Sequence, residues 1–406
     1  VGVRRVAAGP ARSGRRGHLS AGPLVRIAID ARPAVFPHPT GIGVYAEHLI
    51  RRMPALDPGS TYLAWYLNAG DGLRPRRRYF ADAGLPNLRE RGTPIPARWF
   101  AVSSERWDLP RFGWLARFDV LFAPNFVPPP TRSMHVVLTV HDLAFRLMPE
   151  TAPQSTRRWL ASLDRSLRRA AAVIAVSETT KRDLVQLYDL AEGRITVIPH
   201  GVDQEVYRPQ PPAEIDRVRR AFGIDGPYLL SLGGIEPRKN LPRLLEAFGS
   251  LRPDVRLVVA GAGVEWNPEG SDLLRGALDA LPEDARRRVI LTGYVGEPDK
   301  VALLAGAELL AYPSLYEGFG LPVLEAMACG TPVVTSNVSA LPEVAGDAAV
   351  LVDPTDTGAL RDALARVLVD EGLRDRLRAA GRERAGAFTW DASAARTVEV
   401  LHRAAG

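Results

Sequence analysis

The stretch Tyr312-Pro313-Ser314-Leu315-Tyr316-Glu317-Gly318-Phe319-Gly320-Leu321-Pro322-Val323-Leu324-Glu325 decides how the chain folds. An apolar run at 309–312 leads into it and a helical pattern at 321–328 leads out, so it reads as strand, glycine turn and helix. Pro322 suits the first helical turn, where a missing N–H costs nothing. Gly318 and Gly320 let the backbone approach a ligand closely. The N–H groups from Gly320 to Val323 are then expected to crown a helix N-terminus, a ready anion site. Glu317 stands before the turn and Glu325 one turn into the helix, so one carboxylate can face a reacting group while the other meets a hydroxyl pair. The plain structural alternative is a buried loop with a helix-capping Glu325.

Outward from this turn, short apolar strands alternate with helical stretches. The second half reads as strands at 228–231, 257–260, 289–291, 309–312, 333–335 and 350–352, with helices at 241–251, 272–281, 299–305, 321–328, 357–369 and 371–387. The first half reads as strands at 25–29, 62–67, 120–123, 135–140, 173–176 and 195–198, with helices at 44–53, 154–171 and 179–189. Continuous apolar strands between helices signal buried parallel sheets. Each half is therefore expected to be a doubly wound α/β domain, at 25–206 and 207–387, joined by a Pro-rich linker at 207–225. Residues 1–24 carry five arginines without apolar periodicity and read as a disordered extension or a mis-called start.

Composition narrows the classes further. The chain has 406 residues, 46% hydrophobic and 24% charged, which excludes a wholly disordered protein. A single cysteine, Cys329, excludes a disulfide scaffold and fits a reducing, cytoplasmic setting. Apolar runs such as 170–176 fall short of the roughly 18 residues a membrane span needs. The net charge of +6 suits anionic partners. Of 52 basic side chains only three are lysines: Lys181, Lys239 and Lys300.

Open α/β sheets bind ligands beyond the carboxyl ends of their strands, so the chemistry is expected in the loops there. Gly233-Gly234-Ile235-Glu236-Pro237-Arg238-Lys239-Asn240 follows a strand and opens a helix. Arg238 and Lys239 can neutralise a diphosphate there; a solvated helix start is the alternative, although cations are disfavoured at that end of the dipole. Thr40-Gly41-Ile42-Gly43 is a short glycine turn before a helix, common in such folds. In Thr139-Val140-His141-Asp142-Leu143, His141 follows a strand; on residue type alone a structural histidine is the heavier reading.

Together these segments resemble the retaining, nucleotide-sugar-dependent glycosyltransferases of family 4, in particular the bacterial mannosyltransferase branch. The matching pieces are TGIGVYA, TVHDLAF, VIPHGVD, EPRKN, LTGYV and YEGFGLPVLEAMACGTPVV, the last with seven residues between its two glutamates. The resemblance implies a GT-B fold, two Rossmann-like domains facing a cleft, with a final helix (388–406) crossing back onto the first domain. It implies that Glu317 and His141 lie at the reacting sugar, that Gly318, Phe319, Gly320 and Leu321 hold sugar and phosphates through their backbone, and that Glu325 binds the ribose. Arg238 and Lys239 would grip the diphosphate, Gly41 and Gly43 close over it, and Tyr294 and Val295 meet the base. Many relatives carry an arginine five residues before the lysine, where this chain has Gly234.

The implied reaction moves a hexose, by best reading mannose from GDP-mannose, to a glycan or lipid-linked glycan in cell-surface polysaccharide synthesis. A UDP-sugar is the alternative donor. No cofactor is implied, and no metal: the chain contains no Asp-x-Asp. The acceptor is expected on the first domain, where Trp107, Phe112 and Trp114 interleave with arginine near the cluster Arg74, Arg76, Arg77 and Arg78. That composition fits peripheral contact with an anionic membrane at its inner face, or an aromatic core segment beside a solvated loop. A nicotinamide oxidoreductase would want a third glycine after Gly41-Ile42-Gly43. A pyridoxal-dependent phosphorylase is much longer. A nucleic-acid partner is not expected, since arginine is scattered rather than gathered on one helix. The sequence carries no signal for an oligomeric state.

Overall fold

The computed structural model describes residues 24–36, 40–68, 79–96, 99–100, 118–131, 135–151, 154–261 and 268–406, the side chains of 154–161 and 268–269 excepted. The readings made for residues 1–23, for the arginine cluster at 74–78 and for Trp107, Phe112 and Trp114 lie outside them.

Two parallel sheets form the frame. The first runs β3-β2-β1-β4-β5-β6-β7, with β1 (Arg26–Asp30), β2 (Thr61–Leu67), β3 (Leu88–Thr93), β4 (Val120–Ala123), β5 (His135–Val140), β6 (Ala172–Ala175) and β7 (Ile195–Val197). The second runs β10-β9-β8-β11-β12-β13, with β8 (Tyr228–Leu232), β9 (Arg256–Ala260), β10 (Val289–Gly293), β11 (Leu309–Tyr312), β12 (Val333–Ser336) and β13 (Val350–Val352). Central strands such as β4, β8 and β11 are buried at every residue, which is why they read as unbroken apolar runs. In each sheet the strand order reverses once, between β1 and β4 and between β8 and β11. Those reversals open the crevices where such sheets receive ligands. The expected α/β architecture of two Rossmann-like units is present.

Three details depart from the sequence reading. β3, Leu-Arg-Glu-Arg-Gly-Thr, was missed: it is a half-exposed edge strand, so it needs no apolar alternation. The stretch expected as a linker holds a helix, Pro212–Ala221; its prolines mark the start of that helix rather than a break. Gly41 and Gly43 are not a turn ahead of a helix but lie in the first turn of the helix Gly41–Leu56, with Thr40 as its N-cap.

The last helix, Trp390–Ala405, returns to the first domain. Its Trp390, Ala394, Val398 and Leu401 join the core cluster of Tyr45, Leu49, Ile50, Ile27 and Phe122. Thr389 caps it by accepting the Ala392 N–H. Ser393 Oγ donates to the Pro199 carbonyl at 2.6 Å, and Val202 N–H to that of Phe388 at 3.1 Å. The crossing is tight enough that a Cβ on Gly201 would stand 2.2 Å from the Trp390 nitrogen. Gly201→Ala is therefore expected to destabilise by about 1–3 kcal/mol or more, whereas Gly193→Ala, with nothing within 4 Å of the new Cβ, stays near wild type. Thermal melts of the two variants check this; equal melting temperatures would contradict the close crossing.

Candidate active site

The reversal between β8 and β11 brings two loops side by side. After β8 the chain makes a short 3-10 turn, Pro237–Lys239, ended by Asn240 in a left-handed conformation (φ 60°). Asn240 Nδ2 donates to the carbonyls of Pro313 (3.1 Å) and Pro354 (2.7 Å), and Leu315 N–H donates to the Arg238 carbonyl at 2.8 Å. These bonds fasten the loop after β8 to the loop after β11. Lys239 and Arg238 are thereby aimed at Glu317.

Glu317 is 7% exposed. Its Oε1 accepts from Lys239 Nζ at 2.6 Å and from Tyr312 OH at 2.9 Å, and its Oε2 pairs with Arg238 Nη1 at 2.9 Å. Burial opposes the charge, but Arg238 and Lys239 outweigh it and hold the carboxyl at about 2. Burial likewise pushes the Lys239 ammonium down, against the pull of Glu317. Arg238 Nε also pairs with Glu236 at 2.7 Å. The position five residues before Lys239 is Gly234, and the second cation on Glu317 is Arg238 itself. Lys239 further lies 4.7 Å from the centre of the Tyr312 ring.

Beyond Glu317 the chain closes against the first domain. A Cβ on Gly318 would lie 1.7 Å from the His141 carbonyl oxygen, so only glycine fits. Gly320 (φ 105°) turns the backbone into the helix Leu321–Ala328. The crown of N–H groups expected from Gly320 to Val323 is narrower than that: Pro322 has none, and Val323 N–H turns back to the Gly320 carbonyl at 3.0 Å. Gly320 and Leu321 are left. Opposite them, a Cβ on Gly41 would touch Leu321 at 3.5 Å, so the starts of two helices from the two domains meet across the cleft. Gly43, two residues further into the same first turn, is buried.

His141 is 9% exposed, and both ring nitrogens are engaged. Nε2 lies 2.7 Å from the Pro124 carbonyl, which can only accept, so Nε2 carries the proton. Nδ1 faces His200 Nε2 at 3.4 Å. Burial lowers the basicity of both rings. His141 is therefore held by partners on both ring nitrogens, and its backbone carbonyl is the part that meets Gly318. The Phe319 side chain turns inward, edge-on to His200 with ring centres 4.9 Å apart, leaving its backbone for the cleft.

Glu325 stands apart from the Glu317 cluster: Lys300 Nζ holds it at 2.9 Å, and Lys300 lies over the Tyr207 ring at 4.8 Å. Tyr294, 51% exposed, and Val295, whose side chain is in the core, follow β10. Four contributors were missed in the sequence: Tyr312, Asn240, Lys300 and His200. Lysine scarcity was the available signal for Lys300, since two of the three lysines pair with the two glutamates of the motif.

Replacing Glu317 by glutamine leaves two buried cations without their shared counter-charge, which costs a few kcal/mol. Because the folded carboxyl sits below its ordinary 4.5, its contribution is complete above that pH and fades as pH falls toward 2. The melting temperature of Glu317→Gln should lie furthest below wild type near pH 7, with the gap narrowing below about pH 4.5. A gap independent of pH would contradict the pairing.

Comparison with known proteins identifies the family and the fold. Residues 39–206 match the model "Glycosyltransferase Family 4" and residues 214–384 the model "Glycosyl transferases group 1". The chain is 34% identical over 387 residues to O-antigen chain mannosyltransferase B of Escherichia coli, covering 92% of this chain and 98% of that protein. It is 32% identical over 318 residues to a D-inositol 3-phosphate glycosyltransferase of Xylanimonas cellulosilytica, covering 75% and 72%. In fold it is similar to sucrose-phosphate synthase of Thermosynechococcus elongatus (TM-score 0.75, 21% identity, 93% and 98% covered). It is likewise similar to HepE of Anabaena, solved with UDP and glucose (TM-score 0.70, 18% identity, 93% and 100% covered). The chain belongs to the family 4 glycosyltransferases, with the GT-B fold.

Proposed function

We propose that the chain transfers mannose from GDP-mannose to a hydroxyl of a glycan or lipid-linked glycan, with retention at the anomeric carbon and without a metal. The observation that carries this reading is the buried Glu317 carboxylate shared by Lys239 and Arg238 at the strand-order reversal. A diphosphate entering beside it meets two cations and the start of the helix at Leu321. Its oxygens compete with Glu317 for Lys239 and Arg238, which frees the Glu317 carboxylate to accept from the sugar hydroxyls. Glu325, with Lys300 alongside, is assigned to the ribose, and the backbone at Tyr294 and Val295 to the base. The mannosyl donor is supported by the likeness to the O-antigen mannosyltransferase.

The acceptor hydroxyl attacks the anomeric carbon from the face the diphosphate is leaving. The bond from that carbon to the phosphate oxygen breaks, the bond to the acceptor oxygen forms, and the acceptor proton passes to the departing phosphate. No enzyme nucleophile is needed, and His141, with both ring nitrogens engaged, serves to shape the sugar pocket rather than as an acid or base. Lys239 and Arg238 stabilise the leaving charge, the part a divalent cation plays elsewhere.

The lipid-linked acceptor and attachment to the anionic inner face of a membrane belong to the same reading. No helix among the described residues is long and apolar enough to cross a bilayer. Trp99 is 62% exposed on the first domain, while its neighbour Phe100 is buried under Arg32. Co-sedimentation with phosphatidylglycerol vesicles at low salt, lost at high salt, is the expected result; no binding at low salt would remove the membrane from the account.

Glu317→Ala is expected to lower kcat by about 100-fold or more while leaving GDP affinity within about threefold. Glu325→Ala should instead weaken GDP binding about tenfold. Turnover should persist in chelator. Near-normal kcat for Glu317→Ala, or strict dependence on added Mg²⁺, would overturn the mechanism.

A further inference from the structure

The helix Glu178–Tyr188 belongs to the first domain, yet the loop Ser339–Leu341 and the short helix Leu341–Ala345 of the second domain grip its start. Glu343 accepts the Glu178 N–H at 2.8 Å on one carboxylate oxygen and the Thr179 N–H at 3.3 Å on the other. The Ser339 carbonyl accepts from Thr179 Oγ1 at 3.1 Å. Along the same helix, Thr180 Oγ1 donates to the Gly318 carbonyl at 3.4 Å, and Tyr316 OH donates to Asp183 at 2.6 Å.

The helix does not need this grip to be capped. Its own Ser177 already accepts the Thr180 N–H at 3.0 Å. Glu178 is exposed, so its N–H could turn to water in an open molecule. A carboxylate at a helix start is favoured by the dipole, which gives Glu343 a reason to hold when the domains meet.

The same segment holds Glu317. Ser339 Oγ accepts the Glu317 N–H at 3.0 Å, and Ala340 N–H donates to the Glu317 carbonyl at 3.3 Å. Ser339 does this at φ 56°, a left-handed conformation that residues other than glycine rarely adopt. Both ends of the Glu317 peptide frame and the start of the opposite domain's helix are thus tied to one strained turn.

We propose that Ser339 and Glu343 are positioning residues that join closure of the cleft to the placement of Glu317. Glu343 clasps the first-domain helix, and Ser339 passes that contact to the Glu317 backbone. The inference rests on the assignment of Glu317 to the donor site.

Position 178 offers a clean test. It is the first residue of its helix, where proline is tolerated, and Ser177 before it is extended (φ −155°, ψ 162°), as a residue preceding proline should be. Glu178→Pro deletes the N–H that Glu343 accepts; Glu178→Ala keeps it. Spin labels on Ala191→Cys and Val369→Cys, both exposed, report the distance between the domains in the presence of GDP, and Cys329 is buried. Glu178→Pro, Glu343→Ala and the double variant should all show the same longer distance and a kcat lowered about tenfold, with donor KM unchanged. Glu178→Ala should keep the short distance, and Glu343→Gln should recover part of kcat. Ser339→Gly should keep the short distance but lose kcat. Unchanged distances in Glu178→Pro and Glu343→Ala, or effects that add in the double variant, would overturn the inference. A wild-type chain that transfers no sugar would instead remove the function assignment, while the distances still judge the clasp.

Discussion

A carboxylate buried between an ammonium and a guanidinium is the constraint on which the rest of this molecule depends. Glu317 is nearly inaccessible, and a lone charge there would be costly. Its ionised form persists only because Lys239, Arg238 and Tyr312 converge on it from two different strand ends. That convergence requires β8 and β11 to be neighbours, which the strand order provides, and requires the two following loops to be locked together, which Asn240 provides. The fold is thus read most economically as the apparatus that holds three charges at one crevice.

The opposite wall is set by backbone contact. Gly318 lies against the His141 carbonyl at a distance that a side chain would forbid, and Gly41 faces the Leu321 side chain at ordinary contact distance. Behind them an aromatic group of Tyr45, His141, His200, Phe319 and Trp390 fills the junction of both domains and the returning helix. The His141–His200 pair lies inside this group, and that burial is what lowers the basicity of both rings. The returning helix, packed on Tyr45 and Leu49, carries Trp390 into that junction, so its role extends beyond tethering the chain end.

Much of this was legible in the sequence because buried parallel strands write themselves as apolar runs. β4, β5, β11 and β13 and the helices Leu321–Ala328 and Thr357–Val369 lie where the pattern placed them. β3 was not legible, because an edge strand of alternating charges leaves no apolar trace. The helix at Pro212–Ala221 was hidden by the prolines that begin it. At the site, Arg238 and Lys239 stood out as cations placed against the helix dipole, and Glu317 through the glycine turn it precedes. Tyr312, Asn240 and His200 did not, because their partners are distant in sequence and their types are ordinary for a core. The N–H crown was overdrawn because a proline and an inward-turned Val323 leave fewer donors than a helix start ordinarily offers.

The most direct measurement of the central claim is calorimetric titration of the full chain with GDP, GDP-mannose, UDP, UDP-glucose and ADP in chelator, on wild type and on Lys239→Ala. GDP and GDP-mannose should bind wild type without metal, and Lys239→Ala should lose about tenfold or more in affinity for both. Absence of binding by every nucleoside diphosphate, or undiminished GDP affinity in Lys239→Ala, would contradict it.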